Sequence, residues 1–338
     1  VSQKVGQPSP LRRNMIARRL VWSSSLLLAG VILLACFAVV VQPVKPMESS
    51  YVLPVDADRL KQHVIKLSQE FHPRNVAHAR NLDAAAAYIR GEFVQAGARV
   101  SEQAVTAPAG RFRNVIAAYG PSDGPLLVIG AHYDTDGDTP GADDNASGVA
   151  GLLELARLLQ KHPPTRAVEL VAYSLEEMPY FKTEHMGSAH HARALRASGR
   201  AVEVMISLEM IGYFSDEPSS QTYPLPGLSL VYPSHGNFIA IVGRTNEWRE
   251  TRRLKAAMRG ASPLPVHSIN TLVAIPGFDL SDHQSFWNEG FPAVMVTDTA
   301  FFRNPHYHAR TDTFDTLDYV RLGNVVQGVF TFAVIETR

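Results

Sequence analysis

Leu126-Leu-Val-Ile-Gly-Ala-His-Tyr-Asp-Thr135, a short polar excursion, and Gly141-Ala-Asp-Asp-Asn-Ala-Ser-Gly148 form the stretch whose reading decides the fold. It opens as an apolar run of strand type. The run ends by delivering His132 and Asp134, and a glycine-bounded acidic turn follows. A helical pattern then starts, with apolar residues at Val149, Leu152, Leu153, Leu155, Leu158 and Leu159. Ligand groups just past the carboxyl end of a strand sit where open α/β sheets bind their substrates. The stretch therefore reads as half of a metal site, and the rest of the chain must supply the other half.

Working outward, strands and helices alternate. Helical patterns are predicted from Asp56 to Phe71 and from Leu82 to Ala96, followed by strand-like runs at 100–105 and 114–119. Beyond the opening stretch come predicted strands at 168–173, 202–210, 238–242 and 293–296, and helices at 187–197, 248–258 and 317–336. This alternation predicts a three-layer α/β/α domain with a mixed, mainly parallel sheet covered by helices on both faces. Residues 214–236 read as a long loop. Long loops in compact domains are often functional, so this one is expected to shape a substrate pocket.

The chain has 338 residues, with 32 lysines and arginines against 32 aspartates and glutamates, so no global field argues for nucleic acid. Its one cysteine, Cys36, lies in the apolar N-terminal stretch. That excludes disulfides, thiolate zinc sites and cysteine nucleophiles from the folded part. It does not decide the compartment, because an extracytoplasmic domain does not require disulfides.

Residues 1–19 carry Lys4, Arg12, Arg13, Arg18 and Arg19 and no acidic residue. Residues 20–41 are apolar apart from Ser23, Ser24 and Ser25. As a helix they would run about 33 Å at ~1.5 Å per residue, enough for a bilayer core. The run ends Val-Val-Val-Gln-Pro, without a small-residue cleavage site. It is therefore expected to be an uncleaved transmembrane signal anchor. Arg12-Arg13-Asn14-Met15-Ile16 is compatible with a twin-arginine export signal, and Leu33-Leu-Ala-Cys36 vaguely resembles a lipoprotein box, although apolar residues continue past the cysteine. The excess of basic residues before the run predicts a cytoplasmic N-terminus and a catalytic domain on the periplasmic or extracellular side. Residues 42–56, with three prolines, read as a linker. Residues 57–338 are the expected catalytic domain.

Four predicted strand ends present carboxylates or imidazoles. They offer His132, Asp134 and Asp144; Glu176-Glu177; Glu209; and His306 and His308. Zinc takes histidine nitrogen and carboxylate oxygen, and a catalytic site leaves a position open. Two metals some ~3.5–4 Å apart need a shared ligand and clamp both sides of the reacting group. A lone histidine or an isolated glutamate pair is ordinarily a solvated or satisfied residue. Here the pair follows a buried strand in register with the other sites. At a strand end one glutamate can ligate while its neighbour acts as a general base.

His132-x-Asp134, Gly141-Ala-Asp-Asp-Asn-Ala-Ser-Gly148, Glu176-Glu177, Leu208-Glu-Met-Ile-Gly-Tyr213, Ser281-Asp-His283 and Pro305-His-Tyr-His308 before Asp312 occur in an order that resembles the co-catalytic two-zinc aminopeptidases, metallopeptidase family twenty-eight. Glutaminyl cyclases and catalytically dead receptor ectodomains share the fold. The resemblance covers roughly residues 57–338. It implies two zinc ions, peptide substrates with a free N-terminus, and hydrolysis of the N-terminal peptide bond by a metal-bridging water. By position it implies that His132 binds the first metal, Asp144 bridges both, Glu177 and His308 bind the second, and Glu209 is the acidic ligand of the first. Glu176 is implied as general base and later acid. Asp134 is expected to hold His132 in its tautomer from the second shell, and Asp282 is also expected there. Asp143 and His306 are expected not to ligate.

Two departures from the family pattern stand out. Many members carry aspartate where this chain has Glu209, so the longer arm must retract by about one methylene. Some use a tyrosine just before Ser-Asp-His as oxyanion stabiliser, whereas Gly277-Phe-Asp-Leu280 has no hydroxyl, leaving Tyr180 or Tyr307 as candidates. Two rival functions share the scaffold. Cyclases generally have apolar replacements after the bridging acid, and non-catalytic ectodomains lose ligands or the base. This chain keeps the peptidase form of the turn and a candidate for every role.

Overall fold

A computed structural model describes residues 10–48, 54–271, 275 and 277–335. Among them eight strands form one sheet. β1 (Arg99–Ala107) and β2 (Gly110–Tyr119) are an antiparallel hairpin. β3 (Leu126–His132), β4 (Ala167–Tyr173), β5 (Val202–Glu209), β6 (Ile239–Arg244), β7 (Val266–Thr271) and β8 (Ala293–Thr297) follow. The spatial order is β1-β2-β4-β3-β5-β8-β6-β7. β3 runs parallel to β4 and β5, β5 to β8, and β6 to β7, whereas β2–β4 and β6–β8 are antiparallel. The sheet is therefore mixed, with four parallel and three antiparallel pairings.

β3 is buried along its whole length, between two parallel neighbours. That is why its sequence is a continuous apolar run instead of an alternating one. Successive side chains still go to opposite faces. Leu127 and Ile129 join the larger core with α4 (Gly148–Lys161), α8 (Tyr319–Val334), α6 (Trp248–Ala261), α2 (Ala57–Ile65) and α3 (Ala79–Gln95). Leu126 and Val128 join the smaller core with α5 (Gly187–Ala197) and α7 (His283–Asn288). The three layers follow from this split.

β7 and α7 were not expected from sequence. β7 is a six-residue edge strand whose run is broken by His267, Ser268 and Asn270, and α7 is under two turns long. Polar residues hide the strand pattern of β7, and α7 is too short to impose a helical period. Residues 214–236 form the expected loop, containing only a short helical turn at Pro226–Leu230.

At the N-terminus α1 (Pro10–Val40) is a continuous helix. Where its side chains are described, Leu26, Leu27, Leu28, Val31, Leu34 and Phe37 are exposed. Among the described residues no helix is long and apolar enough to cross a membrane.

Candidate metal centre

The carboxyl ends of β3, β4 and β5 lie side by side, so the residues that follow them converge. His132 closes β3 and is fully buried. Glu176 and Glu177 follow β4, and Glu209 ends β5; all three are buried. The turn from Gly141 to Ser147 brings in Asp144, and the loop after β8 brings in His308, whose ring stacks on Tyr307 with centroids 3.8 Å apart.

Asp144 lies between two groups of ligand atoms. Its Oδ1 is 3.2 Å from His132 Nε2, which is 3.5 Å from Glu209 Oε2. Its Oδ2 is 3.3 Å from His308 Nε2, which is 3.5 Å from Glu177 Oε1. Zinc binds nitrogen and oxygen at about 2.0–2.2 Å, so the edge of a tetrahedron of such ligands is about 3.3–3.6 Å. Three of the four spacings fall in that range and the fourth, 3.2 Å, lies just below it. His132 Nε2, Asp144 Oδ1 and Glu177 Oε1 are also buried without a hydrogen-bond partner. Buried polar atoms are normally satisfied, and a cation between these atoms would satisfy all three. Three groups of these residues could each hold a metal ion: His132, Asp144 and Glu209; Asp144, Glu177 and His308; and His132, Glu176 and Glu177; the first two have Asp144 in common. Glu176 approaches from the first side, with Oε2 3.9 Å from His132 Nε2.

The electrostatics of the cluster suit a cation. Burial pushes the Glu177 carboxyl up to about 8, helped by Asp144. Burial also pushes Glu176 well above the carboxylate range, helped by Glu177, Glu209 and Asp282 against the pull of His132. Burial alone would lower His308, but Asp144 and Glu177 outweigh it and hold the imidazole up to about 10. Asp144 is held below its ordinary range, because His132 and His308 overcome the effect of burial.

A histidine raised on folding contributes stability that is full below ~6.5 and is lost as pH rises through about 10. A carboxyl raised by burial destabilises progressively above ~4.3, and fully so past about 8. Both shifts make the metal-free chain less stable as pH rises from about 6 to 9. Zinc requires neutral imidazole and ionised carboxylate, so it should raise the Tm more at the upper end of that window. Thermal melts with chelator and with zinc at both ends check this. A metal-free Tm that climbs with pH would contradict it.

Several residues hold this cluster through contacts that the sequence did not show. Asp312 accepts the backbone N–H groups of Asp143 and Asp144, at 2.9 and 3.1 Å. Asp134 does the same for Glu176 and Glu177, at 3.1 and 3.0 Å. His132 Nδ1 lies 3.2 Å from the Asp134 backbone carbonyl, and the carboxylate is farther, at 3.6 Å. Ser281 Oγ donates to Glu209 Oε2 at 2.7 Å and pairs with Ser207, which fixes the longer arm of the glutamate. Asn145 ties the acidic turn to β5, donating to the Leu208 carbonyl and accepting from Met210 and Gly148. A Cβ at Gly148 would meet the Leu208 carbonyl at 2.7 Å, and Gly141 has a φ of +59°, so both turn glycines are required.

Arg74 lies fully buried beneath this turn and donates to the carbonyls of Tyr133, Leu67, Pro140 and Gly141. Arg74→Ala would strand several buried acceptors at once. It is expected to cost on the order of 3 kcal/mol or more. Denaturant unfolding checks this; a loss below about 1 kcal/mol would show that the turn does not depend on Arg74.

The remaining candidates lie outside the ligand cluster. Asp143 accepts from Gly212 N–H and Asn304. His306 pairs with Thr311 and packs on Tyr213. Asp282 is buried with neither oxygen hydrogen-bonded among the described residues, and burial pushes its carboxyl up to about 7. His283 bonds the Phe278 carbonyl. The Tyr180 hydroxyl accepts from Ala109 N–H at 2.8 Å and its ring lies in a separate apolar cluster. Tyr307 remains at the edge of the centre.

Beside Glu209 and Tyr307 opens a cavity walled by Tyr223, Tyr232, Phe238, Phe278, Met295 and Phe302. The first two come from the long loop that sequence marked as a pocket wall.

Comparison with known proteins agrees with this geometry. The chain is 49% identical over 282 residues to the uncharacterized protein YfbL of Escherichia coli K12, covering 81% of this chain and 86% of that one. It is 29% identical over 213 residues to a probable leucine aminopeptidase of Arthroderma otae, a match spanning 59% of this chain and only half of the fungal protein. Among solved structures, the LapA aminopeptidase of Legionella pneumophila superposes with a TM-score of 0.65 at 22% identity, over 83% of this chain and 71% of that one. A glutaminyl cyclase of Bacteroides thetaiotaomicron gives 0.64 at 21% identity, over 85% of this chain and all of that one. At those identities the likeness is one of fold. Residues 114–333 match the profile of Peptidase family M28, and the chain belongs to that family.

Proposed function

We propose that this protein is a two-zinc aminopeptidase that hydrolyses the N-terminal bond of peptides with a free amino end. One observation carries the reading: the two oxygens of Asp144 face two separate ligand groups, one with His132 and Glu209, the other with Glu177 and His308. Zinc, when bound, polarises the scissile carbonyl and lowers the pKa of the attacking water. The chain's own residues do the rest. Glu176 takes the proton from the attacking water and returns it to the leaving amine. Burial, with Glu177, Glu209 and Asp282 nearby, holds its carboxyl well above the ordinary range. Asp134 fixes the backbone of both glutamates, so the base and its ligating neighbour keep their relative positions. The apolar cavity beside Glu209 supports a preference for a bulky apolar N-terminal side chain.

A panel of amino-acid amides, N-acetylated peptides and a peptide with N-terminal glutamine tests this. Cleavage of leucine and phenylalanine amides, with no action on blocked peptides, is the expected result. Loss of ammonia from the glutamine peptide without hydrolysis would assign a cyclase, and inertness toward all would assign a binding ectodomain. We further propose that residues 20–41 anchor the chain in a membrane, with the catalytic domain outside the cytoplasm. The uncharged apolar run and the basic segment before it support this. No nucleic-acid partner is proposed.

A further inference from the structure

We propose that the catalytic domain is not tethered loosely to the membrane but is seated on it, through one face made of the loop tip Leu225–Val231 and the cationic side of α6. The inference rests on the anchor reading above and adds an interaction surface, with an anionic lipid surface as the partner.

The first observation is that the end of α1 is docked on the domain. Val40 and Val41 pack into an apolar cluster with Tyr232, Ile269 and Leu228. The Val41 carbonyl accepts from the buried Lys255 ammonium at 2.7 Å and from Ser268 at 2.9 Å. The following residues, expected to be a free linker, run along α6. Pro43 and Val44 carbonyls accept from Arg252 and Arg259, and Met47 N–H bonds the Ala256 carbonyl at 2.9 Å. Gly260 leaves the room this strap needs, because a Cβ there would lie 1.7 Å from the Met47 carbonyl. An apolar helix that ends at a fixed point fixes the bilayer surface near that point. Whatever flanks Val41 then lies at the headgroups.

The second observation is what flanks it. Leu228, which packs with Val40 and Val41, belongs to a turn whose other apolar side chains face outward. Leu230 is 89% exposed, and Leu225 and Val231 are close to half exposed. On α6, Arg249, Arg252 and Arg259 are exposed, as is Lys45 on the strap, and Trp248 lies partly exposed beneath the Arg249 guanidinium. The acidic residues on these segments are Glu48 and the half-buried Glu250. Apolar residues that insert beside cations that meet headgroups are the combination that holds proteins at anionic bilayers. Tyr223 and Tyr232 of the same loop wall the cavity next to Glu209, so seating this face would hold the cavity wall against the lipid.

The test uses the full chain in vesicles of phosphatidylglycerol or phosphatidylcholine. Three single-cysteine forms carry an environment-sensitive dye: the native Cys36, Leu230→Cys on a Cys36→Ser background, and Ser101→Cys on that background. Ser101 is exposed on β1, at the sheet edge opposite β7. Amide hydrolysis by each form reports that it is folded. Dye at Cys36 and at 230 should shift to the blue and be quenched by brominated lipid, more strongly at 230 in phosphatidylglycerol. Dye at 101 should do neither. If position 230 behaves like 101 while Cys36 is buried, the seated face is wrong and the anchor stands. If Cys36 itself stays in water, both fail. Equal shifts at 230 in the two lipids would overturn the part assigned to the α6 cations.

Discussion

Glu176→Gln is expected to lower turnover by about 10²- to 10⁴-fold while zinc content and Tm stay at the wild-type level. The substitution preserves volume and leaves the Glu176 backbone N–H on Asp134, so the loop keeps its anchor. What is lost is the carboxylate that exchanges a proton with the attacking water and the leaving amine. Both glutamates group with His132, but only Glu177 also groups with Asp144 and His308, its Oε1 lying 3.5 Å from His308 Nε2, whereas Glu176 Oε2 lies 3.9 Å from His132 Nε2. Glu177→Gln should therefore weaken metal retention as well as activity. Turnover of Glu176→Gln within a few-fold of wild type would remove it as the general base.

Asp144→Asn is expected to have the larger effect on the metals. An asparagine keeps the shape and the N–H to Asp312, but it replaces an anion with a neutral amide whose nitrogen cannot ligate. Only one oxygen is left for two ligand groups, and both lose the negative charge between them. His132→Ala and His308→Ala each remove one ligand from one group only. Each should therefore leave one metal more firmly held than Asp144→Asn does, and the contrast among the three variants identifies the bridge.

Much of the fold was legible because its decisive segment is unambiguous. Seven consecutive buried residues ending in His132 make a central parallel strand, and the glycine-bounded turn and helix after it fix the direction of the chain. The three-layer arrangement then follows from alternation. The residues that cluster at the strand ends were legible because each closes a strand or sits in a short motif. What supports the ligands was not legible. Arg74 acts through its neighbours' backbone carbonyls, which carry no sequence signal. Asp312 and Asp134 act by accepting backbone N–H groups from segments 168 and 42 residues away, a pairing that only the folded chain creates. Ser281 was visible as part of a motif, but its bond to Glu209 was not. The docked strap was hidden for the opposite reason: Pro43 and Pro46 look like linker residues, and their neighbours bind through backbone atoms.

The central claim is that one carboxylate joins two metal sites. It is tested most directly by zinc content per folded chain, measured by mass spectrometry on wild type and Asp144→Asn after exhaustive dialysis. The expected result is about two zinc ions in the wild type and close to none in the variant. A wild type holding about one, or an Asp144→Asn protein that keeps about two, would contradict it.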